Sequence, residues 1–172
     1  MKKPIYLIVA TDAQNGIGIK GKLQWKLKKD MAFFKKKTIK TQDTNKLNIV
    51  LMGRTTWESI PEDYRPLEAR KNVVLTRNKD YVAKGATIVN SIDDAIAKAD
   101  ERIESIYVIG GAKVYEQFMK RRDLTGVYLT KIKKEYKCDT FFPKIPPSFK
   151  YKKLREIEED GVRYAFLLYK KK

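Results

Sequence analysis

The sequence predicts an α/β protein: a mostly parallel, twisted β-sheet in a single domain over residues 1–172, with flanking helices and an antiparallel C-terminal edge. Three observations lead there. Short apolar, β-branched runs bounded by turn residues recur along the chain. Most of them lack polar alternation, as strands buried on both faces of a parallel sheet do. Helical patterns stand between most of them, and strands alternating with helices signify α/β architecture.

Taken in order, Ile5–Thr11 is an unbroken apolar strand. Leu27–Thr38 follows as a helix, in which Leu27, Met31 and Phe34 recur at i, i+4 and i+7 as a stripe expected to face the core. Asn48–Met52 is the next strand and leads through a glycine turn into helix Thr55–Ile60. Strands Asn72–Thr76 and Ala86–Val89 come next. Ser91 before Ile92, with Asp94 three residues after the serine, starts helix Ile92–Ala99. Strand Ser105–Ile109 turns into helix Lys113–Lys120. The last two strands, Val127–Ile132 and Val162–Tyr169, have no helix between them and supply the antiparallel edge. Ile39–Lys46 and Pro143–Ser148 read as loops, and no repeat or low-complexity linker divides the chain.

Composition removes several chemistries. The chain has no histidine, which excludes Ser-His-Asp and Cys-His catalysis and every imidazole zinc site. One cysteine, Cys138, allows neither an internal disulfide nor a multi-cysteine metal site, and fits a reducing compartment. No metal is expected. Neither a membrane-length apolar stretch nor a signal-peptide pattern is evident, so a soluble cytoplasmic protein is expected, standing alone and not fused to another enzyme. The net charge of +17 has two readings, a polyanionic partner or a lysine-decorated solvated surface. The basic residues are 29 Lys and 9 Arg, scattered without a stripe, which favours the solvated surface over nucleic acid.

Four features could carry chemistry. Asp30 falls three residues after Leu27, on the apolar stripe of its helix, where a carboxylate is expensive unless paired or functional. Taken alone it is equally a satisfied core carboxylate. Two strand-to-helix turns carry glycines, Met52-Gly53-Arg54-Thr55-Thr56-Trp57 and Ile109-Gly110-Gly111-Ala112-Lys113-Val114-Tyr115. In a parallel sheet both fall at the carboxyl ends of strands, where backbone N–H groups suit phosphate. Thr76 and Arg77, ending a third strand, add donors on the same edge. Each turn alone is weak, since glycine at such a turn is usually steric relief, and Gly-Gly-Ala lacks the full dinucleotide fingerprint. The fourth feature is the stretch Asn15-Gly16-Ile17-Gly18-Ile19-Lys20-Gly21-Lys22-Leu23-Gln24-Trp25, a candidate mobile loop or lid ending in an aromatic anchor.

Together these residues resemble the dihydrofolate reductase family over nearly the whole chain. The matching residues are Ile8-Val9-Ala10, the glycine loop ending at Trp25, Asp30 with Phe33-Phe34, Met52–Trp57, Arg65-Pro66-Leu67 with Arg70, Ile109-Gly110-Gly111, Tyr115, Tyr128-Leu129-Thr130 and Asp139–Pro143. The resemblance implies reduction of 7,8-dihydrofolate to tetrahydrofolate by NADPH, in the service of one-carbon metabolism, by a monomer with no specific nucleic-acid or membrane partner. Asp30, Trp25, Thr130 and Tyr115 would be catalytic, with Asp30 binding the amidine edge of the pterin and promoting protonation of N5 through water. Ile8, Val9, Met31, Phe34, Lys35, Ile60, Leu67 and Ile109 would line the substrate pocket, and Arg70 would clamp the glutamate α-carboxylate. Ala10, Gly16, Ile17, Gly18, Ile19, Lys20, Gly21 and Lys22, with Gly110, Gly111, Ala112, Lys113, Val114 and Tyr115, would hold the nicotinamide half and pyrophosphate. Gly53, Arg54, Thr55, Thr56, Thr76 and Arg77 would hold the remaining phosphates, the two arginines favouring NADPH over NADH. A cis bond is expected at Gly110–Gly111.

The sequence departs from the family at few places: Gln24 where proline is usual, Ala112 for a third glycine, Glu68-Ala69 before Arg70, and a longer Ile60–Leu67 connection of the eukaryotic style. Two alternatives stand beside this reading. One is the fold-sharing pyrimidine reductase of the riboflavin pathway, the other a basic nucleic-acid-binding module.

Overall fold

Runs that are apolar throughout become the middle of a sheet. The computed structural model describes residues 2–172. Its elements are β1 (Ile5–Thr11), β2 (Gly16–Gly18), α1 (Lys28–Ile39), β3 (Leu47–Gly53), α2 (Arg54–Ser59), a 3₁₀ turn at Glu62–Tyr64, β4 (Lys71–Leu75), β5 (Thr87–Val89), α3 (Ile92–Ala97), β6 (Ile103–Gly110), α4 (Ala112–Met119), β7 (Gly126–Ile132), β8 (Thr140–Phe141), β9 (Phe149–Glu159) and β10 (Val162–Lys171). Eight strands form one sheet in the order β5-β4-β3-β6-β1-β7-β10-β9, while β2 and β8 make a separate small ribbon. The six strands from β5 to β7 in that order are parallel, and β10 and β9 add on antiparallel. No helix is long and apolar enough to cross a membrane among the described residues.

The two faces of the sheet carry different helices. Ile5, Leu7, Val9, Ile49, Leu51 and Val108 pack with α3 and α4, through Ala95, Val114 and Phe118. On the other face Val50, Met52 and Val74 receive Trp57 of α2, and Trp25, Leu27 and Phe33 gather around Tyr164 and Phe166. Alternate residues of each strand therefore serve opposite layers, as the two-residue period of a strand dictates. The serine start of α3 is present, with Ser91 Oγ accepting from the Asp94 N–H at 3.0 Å.

Two expectations need correction. The stripe of α1 does not run through Met31, which is 57% exposed. The covered positions up to Thr38 are Leu27, Asp30, Phe33, Phe34, Lys37 and Thr38, with Ile39 also half-buried at the helix end. Their arc is rotated because Phe33 stacks on Phe166 at 4.1 Å and Lys37 lies over the Tyr128 ring at 4.8 Å. Asp30 thereby sits nearer the middle of the covered face than its margin. The antiparallel pair of β7 and β10 is present, but the edge strand is β9, which the sequence reading missed. Its residues Phe149–Glu159 are rich in Lys and Glu because an edge exposed on both faces needs no apolar alternation; only Phe149 and Ile157 are buried. The Gly110–Gly111 bond is cis as expected, and so is Arg65–Pro66.

Candidate active site

The carboxyl ends of the parallel strands bring most of the predicted residues to one region. Asp30 lies in the first turn of α1, and its Oδ1 accepts from the Thr130 hydroxyl of β7 at 2.7 Å. Burial pushes the Asp30 carboxyl up to about 6, the Thr130 hydrogen bond opposes that, and the Glu159 carboxylate adds to it. Trp25 is buried against Tyr136, with ring centroids 5.3 Å apart, and its indole N–H finds no acceptor among the described residues. A buried donor of this kind ordinarily finds water or a ligand.

Around Asp30 the predicted substrate residues divide. Ala10 packs with the Trp25 cluster, and alternation along β1 puts Ile8 on that same face. Val9 instead sends its side chain into the layer of Leu7 and Val114, so Ile8 and Val9 share no side-chain pocket. Phe34 is half-buried and Met31 exposed on α1. Ile60, Leu67 and Ile109 pack against the cluster of Trp57 and Met52. Arg70 donates to the Glu68 carbonyl at 2.8 Å and to Thr38 Oγ1 at 3.0 Å, which fixes the guanidinium beside the end of α1. Burial lowers its pKa. Lys35 is engaged with the Glu68 carboxylate at 2.6 Å, an ion pair exposed on both sides. The atypical Ala69 adopts φ +58°, a left-handed conformation that favours glycine.

The glycine turns form the second half. Gly110 has φ +134°, and a Cβ there would stand 3.1 Å from Thr56 Oγ1 and 3.6 Å from the Tyr115 hydroxyl oxygen. Gly111 precedes α4 with no side-chain cap. The Tyr115 hydroxyl donates to the Ile8 carbonyl at 2.8 Å, tying α4 to β1 beneath the turn, and burial raises its pKa. Ala112 is half-buried, Lys113 exposed and Val114 buried, the last packing close to Gly53. Arg54 pairs with Glu58 at 2.8 Å and stacks over Tyr81 at 4.3 Å. Thr55 and Arg77 are exposed, and Thr76 Oγ1 accepts from the Asn78 N–H at 3.2 Å.

The loop of Gly16 to Lys22 is held on three sides. β2 pairs with β8, Ile19 and Lys22 bridge each other, and Asp139 accepts from the Lys20 N–H at 3.1 Å. Its anchor is a residue the sequence reading missed, the fully buried Asp12. One carboxylate oxygen accepts from the Gly16 and Gln14 N–H groups at 2.7 and 2.9 Å, and the other from the Tyr136 N–H at 2.9 Å. Burial acts to raise the Asp12 pKa, but these backbone donors outweigh it and the net shift is downward. An acid following an apolar strand, with glycine four residues on, was the available signal. Glu159 was missed too, because the helix N–H groups that it accepts from, those of Lys28 and Lys29, lie at the other end of the chain. Among the described residues no cluster of three or more metal-ligating side chains occurs.

Comparison with known proteins finds a match to the family model described as dihydrofolate reductase over residues 4–171. The chain is 41% identical to dihydrofolate reductase of Heliothis virescens, with 96% of each chain covered. It is 37% identical to that of Aedes albopictus, with 98% of each covered. It is 36% identical to the Mus musculus enzyme over the full length of both.

Proposed function

The chain belongs to the dihydrofolate reductase family, and on that premise we propose how its residues divide the work of reducing 7,8-dihydrofolate with NADPH. Its role in one-carbon metabolism follows from the family. The observation that carries the assignment of Asp30 is its half-buried carboxyl, held by Thr130 and pushed up to about 6. Such a group is part ionised and part protonated near neutral pH, so it can hold the amidine edge of the pterin and also give up a proton. Thr130 fixes its orientation. The buried Trp25 N–H, just ahead of α1, is a donor available to the water through which the proton reaches N5. Ile8, Phe34, Ile60 and Leu67 exclude bulk water from the ring system. Arg70, already oriented by Thr38, presents a guanidinium fork to the glutamate α-carboxylate.

The residues of the second half fit NADPH. The Gly110–Gly111 turn has side-chain-free backbone next to Thr56, and Arg54, Arg77, Thr55 and Lys113 are exposed donors suited to phosphate. When bound there, NADPH supplies the hydride for C6 of the pterin. Ala10, Gly16–Lys22 and Tyr115 would enclose its nicotinamide half, and Gly53, Thr76 and Arg77 its phosphates. Residues 1–172 act as one domain and a cytoplasmic monomer. The scattered lysines steer anionic ligands and do not bind nucleic acid.

The test is Asp30→Asn. Asn keeps the volume and one acceptor but carries neither charge nor transferable proton. Turnover at pH 7 is expected to fall about 10²–10⁴-fold, with partial recovery at low pH and unchanged NADPH affinity. Near-parental turnover at pH 7 would make Asp30 a satisfied core carboxylate.

A further inference from the structure

We propose that Glu159 and Tyr164, from the hairpin of β9 and β10, are positioning residues that cap the first turn of α1 and hold the Asp30 carboxyl in its place and electrostatic setting. Helix α1 starts without a cap of its own, since Leu27 has no side-chain acceptor. The first N–H groups of any helix need partners from elsewhere. Here the partners come from the far end of the chain. Glu159 Oε2 accepts from the Lys28 N–H at 2.7 Å and Oε1 from the Lys29 N–H at 3.0 Å. The Tyr164 hydroxyl, wholly buried, donates to the same Oε1 at 2.7 Å, and the Asp30 backbone N–H stands beside that hydroxyl. A carboxylate at a helix N-terminus is also favoured by the helix dipole.

The hairpin geometry explains why Glu159 arrives there. Asp160 and Gly161 both take positive φ, +50° and +78°, the conformation of the tight two-residue turn that joins twisted antiparallel strands. That turn sets Glu159 opposite Val162 and Ile157 opposite Tyr164. Tyr164 is thereby fixed beneath the helix by the sheet itself, and Glu159 is fixed by Tyr164.

The electrostatic consequence follows from charge and distance. The Tyr164 hydroxyl and the two backbone donors hold the Glu159 carboxyl below its usual range, so it is ionised wherever Asp30 titrates. The groups facing Asp30 are Thr130 from β7, Glu159 from β9 and Tyr164 from β10, with Lys28 and Lys29 exposed on its own turn. Of these, only Glu159 brings a negative charge. It makes the first turn of α1 a place where a second carboxylate is harder to ionise.

This inference rests on the reading of Asp30 as the acid of the reaction, and the test separates the two. The Asp30 side-chain carboxyl is followed by ¹³C NMR against pH in the full chain, together with the pH profile of kcat. In Glu159→Gln the Asp30 midpoint is expected to fall by about half a pH unit or more, with the kcat profile moving the same way. In Glu159→Asp the charge is kept but the reach is shortened, so hydrogen exchange at Lys28 and Lys29 is expected to quicken at least about fivefold. An Asp30 midpoint unmoved in Glu159→Gln overturns the proposal, whatever happens to kcat. Unchanged exchange in Glu159→Asp overturns the capping part. A midpoint that moves while the kcat profile stays still supports the proposal and instead removes Asp30 from the protonation step.

Discussion

Asp30 and Arg54 both offer charge near the carboxyl edge of the sheet, but the protein treats the two sides of the site differently. On the Asp30 side, side chains hold side chains: Thr130 holds Asp30, Thr38 holds Arg70, and Glu159 holds the helix between them. On the Arg54 side the shape comes from glycine backbone, and the cationic groups are exposed, Arg54 leaning on Glu58 and Tyr81. The half proposed to handle a proton is cross-tied by side-chain hydrogen bonds, and a pKa depends on such fixed neighbours. The half proposed to hold phosphates relies on backbone shape and exposed charge, which suits binding.

The largest expected effect that sharpens this contrast is on the loop anchor. Asp12→Ala would strip the acceptor from the turn that runs from Gln14 to Gly16, and from the Tyr136 N–H as well. Three backbone donors now satisfied by one carboxylate would be left without it. Their loss is expected to cost about 3 kcal/mol or more, read as a lowered denaturation midpoint, and to weaken NADPH binding. The Asp30 midpoint should stay put; if it moved as well, the two halves would not be independent.

Next in size is the stability of Asp30→Asn. The folded-state pKa of Asp30 is raised, from 3.8 to about 6, so its contribution to stability is present below the unfolded value and is lost as pH rises through about 6. Replacing it with Asn should therefore stabilise the fold by about 1–3 kcal/mol at pH 7 and hardly at all at pH 4, measured by denaturant unfolding. An equal gain at both pH values would mean that charge is not what makes Asp30 costly.

Thr130→Val tests the side-chain network more gently. Losing a hydrogen bond that lowers the Asp30 pKa should move the limb on which kcat falls with rising pH upward by about one pH unit. A downward shift would contradict the hydrogen-bond geometry. Smallest is the effect of salt: raising ionic strength should slow ligand association several-fold, because screening acts beyond about 8 Å at 0.15 M, and leave the hydride step unchanged. A salt-insensitive association rate would reduce the +17 charge to a solvated surface.

How much of this was legible beforehand depended on whether the cause was local. β1 was readable to the residue, because Ile5–Thr11 is apolar nearly from end to end. The serine start of α3 was equally local. β9 was not readable, since an edge strand in water is free to be Lys- and Glu-rich. Asp30 was half legible: its place on a helix stripe raised the question, and only the resemblance of the surrounding motifs tipped it towards function. The rotation of α1 that exposes Met31 came from Phe33 meeting Phe166, residues far apart in sequence. Glu159 depends on contacts of the same long-range kind.

The raised Asp30 carboxyl has a consequence for proton uptake. A chain without histidine has no side chain of ordinary pKa that changes charge between pH 5 and 8. Asp30 has been lifted into the lower part of that gap, to about 6. On acidification from pH 8 to about 6, before ordinary carboxylates begin to titrate, this one carboxyl therefore takes up the largest share of the protons bound by the side chains of the folded protein. The difference between potentiometric titration curves of the parent and of Asp30→Asn then isolates the proton carried by Asp30.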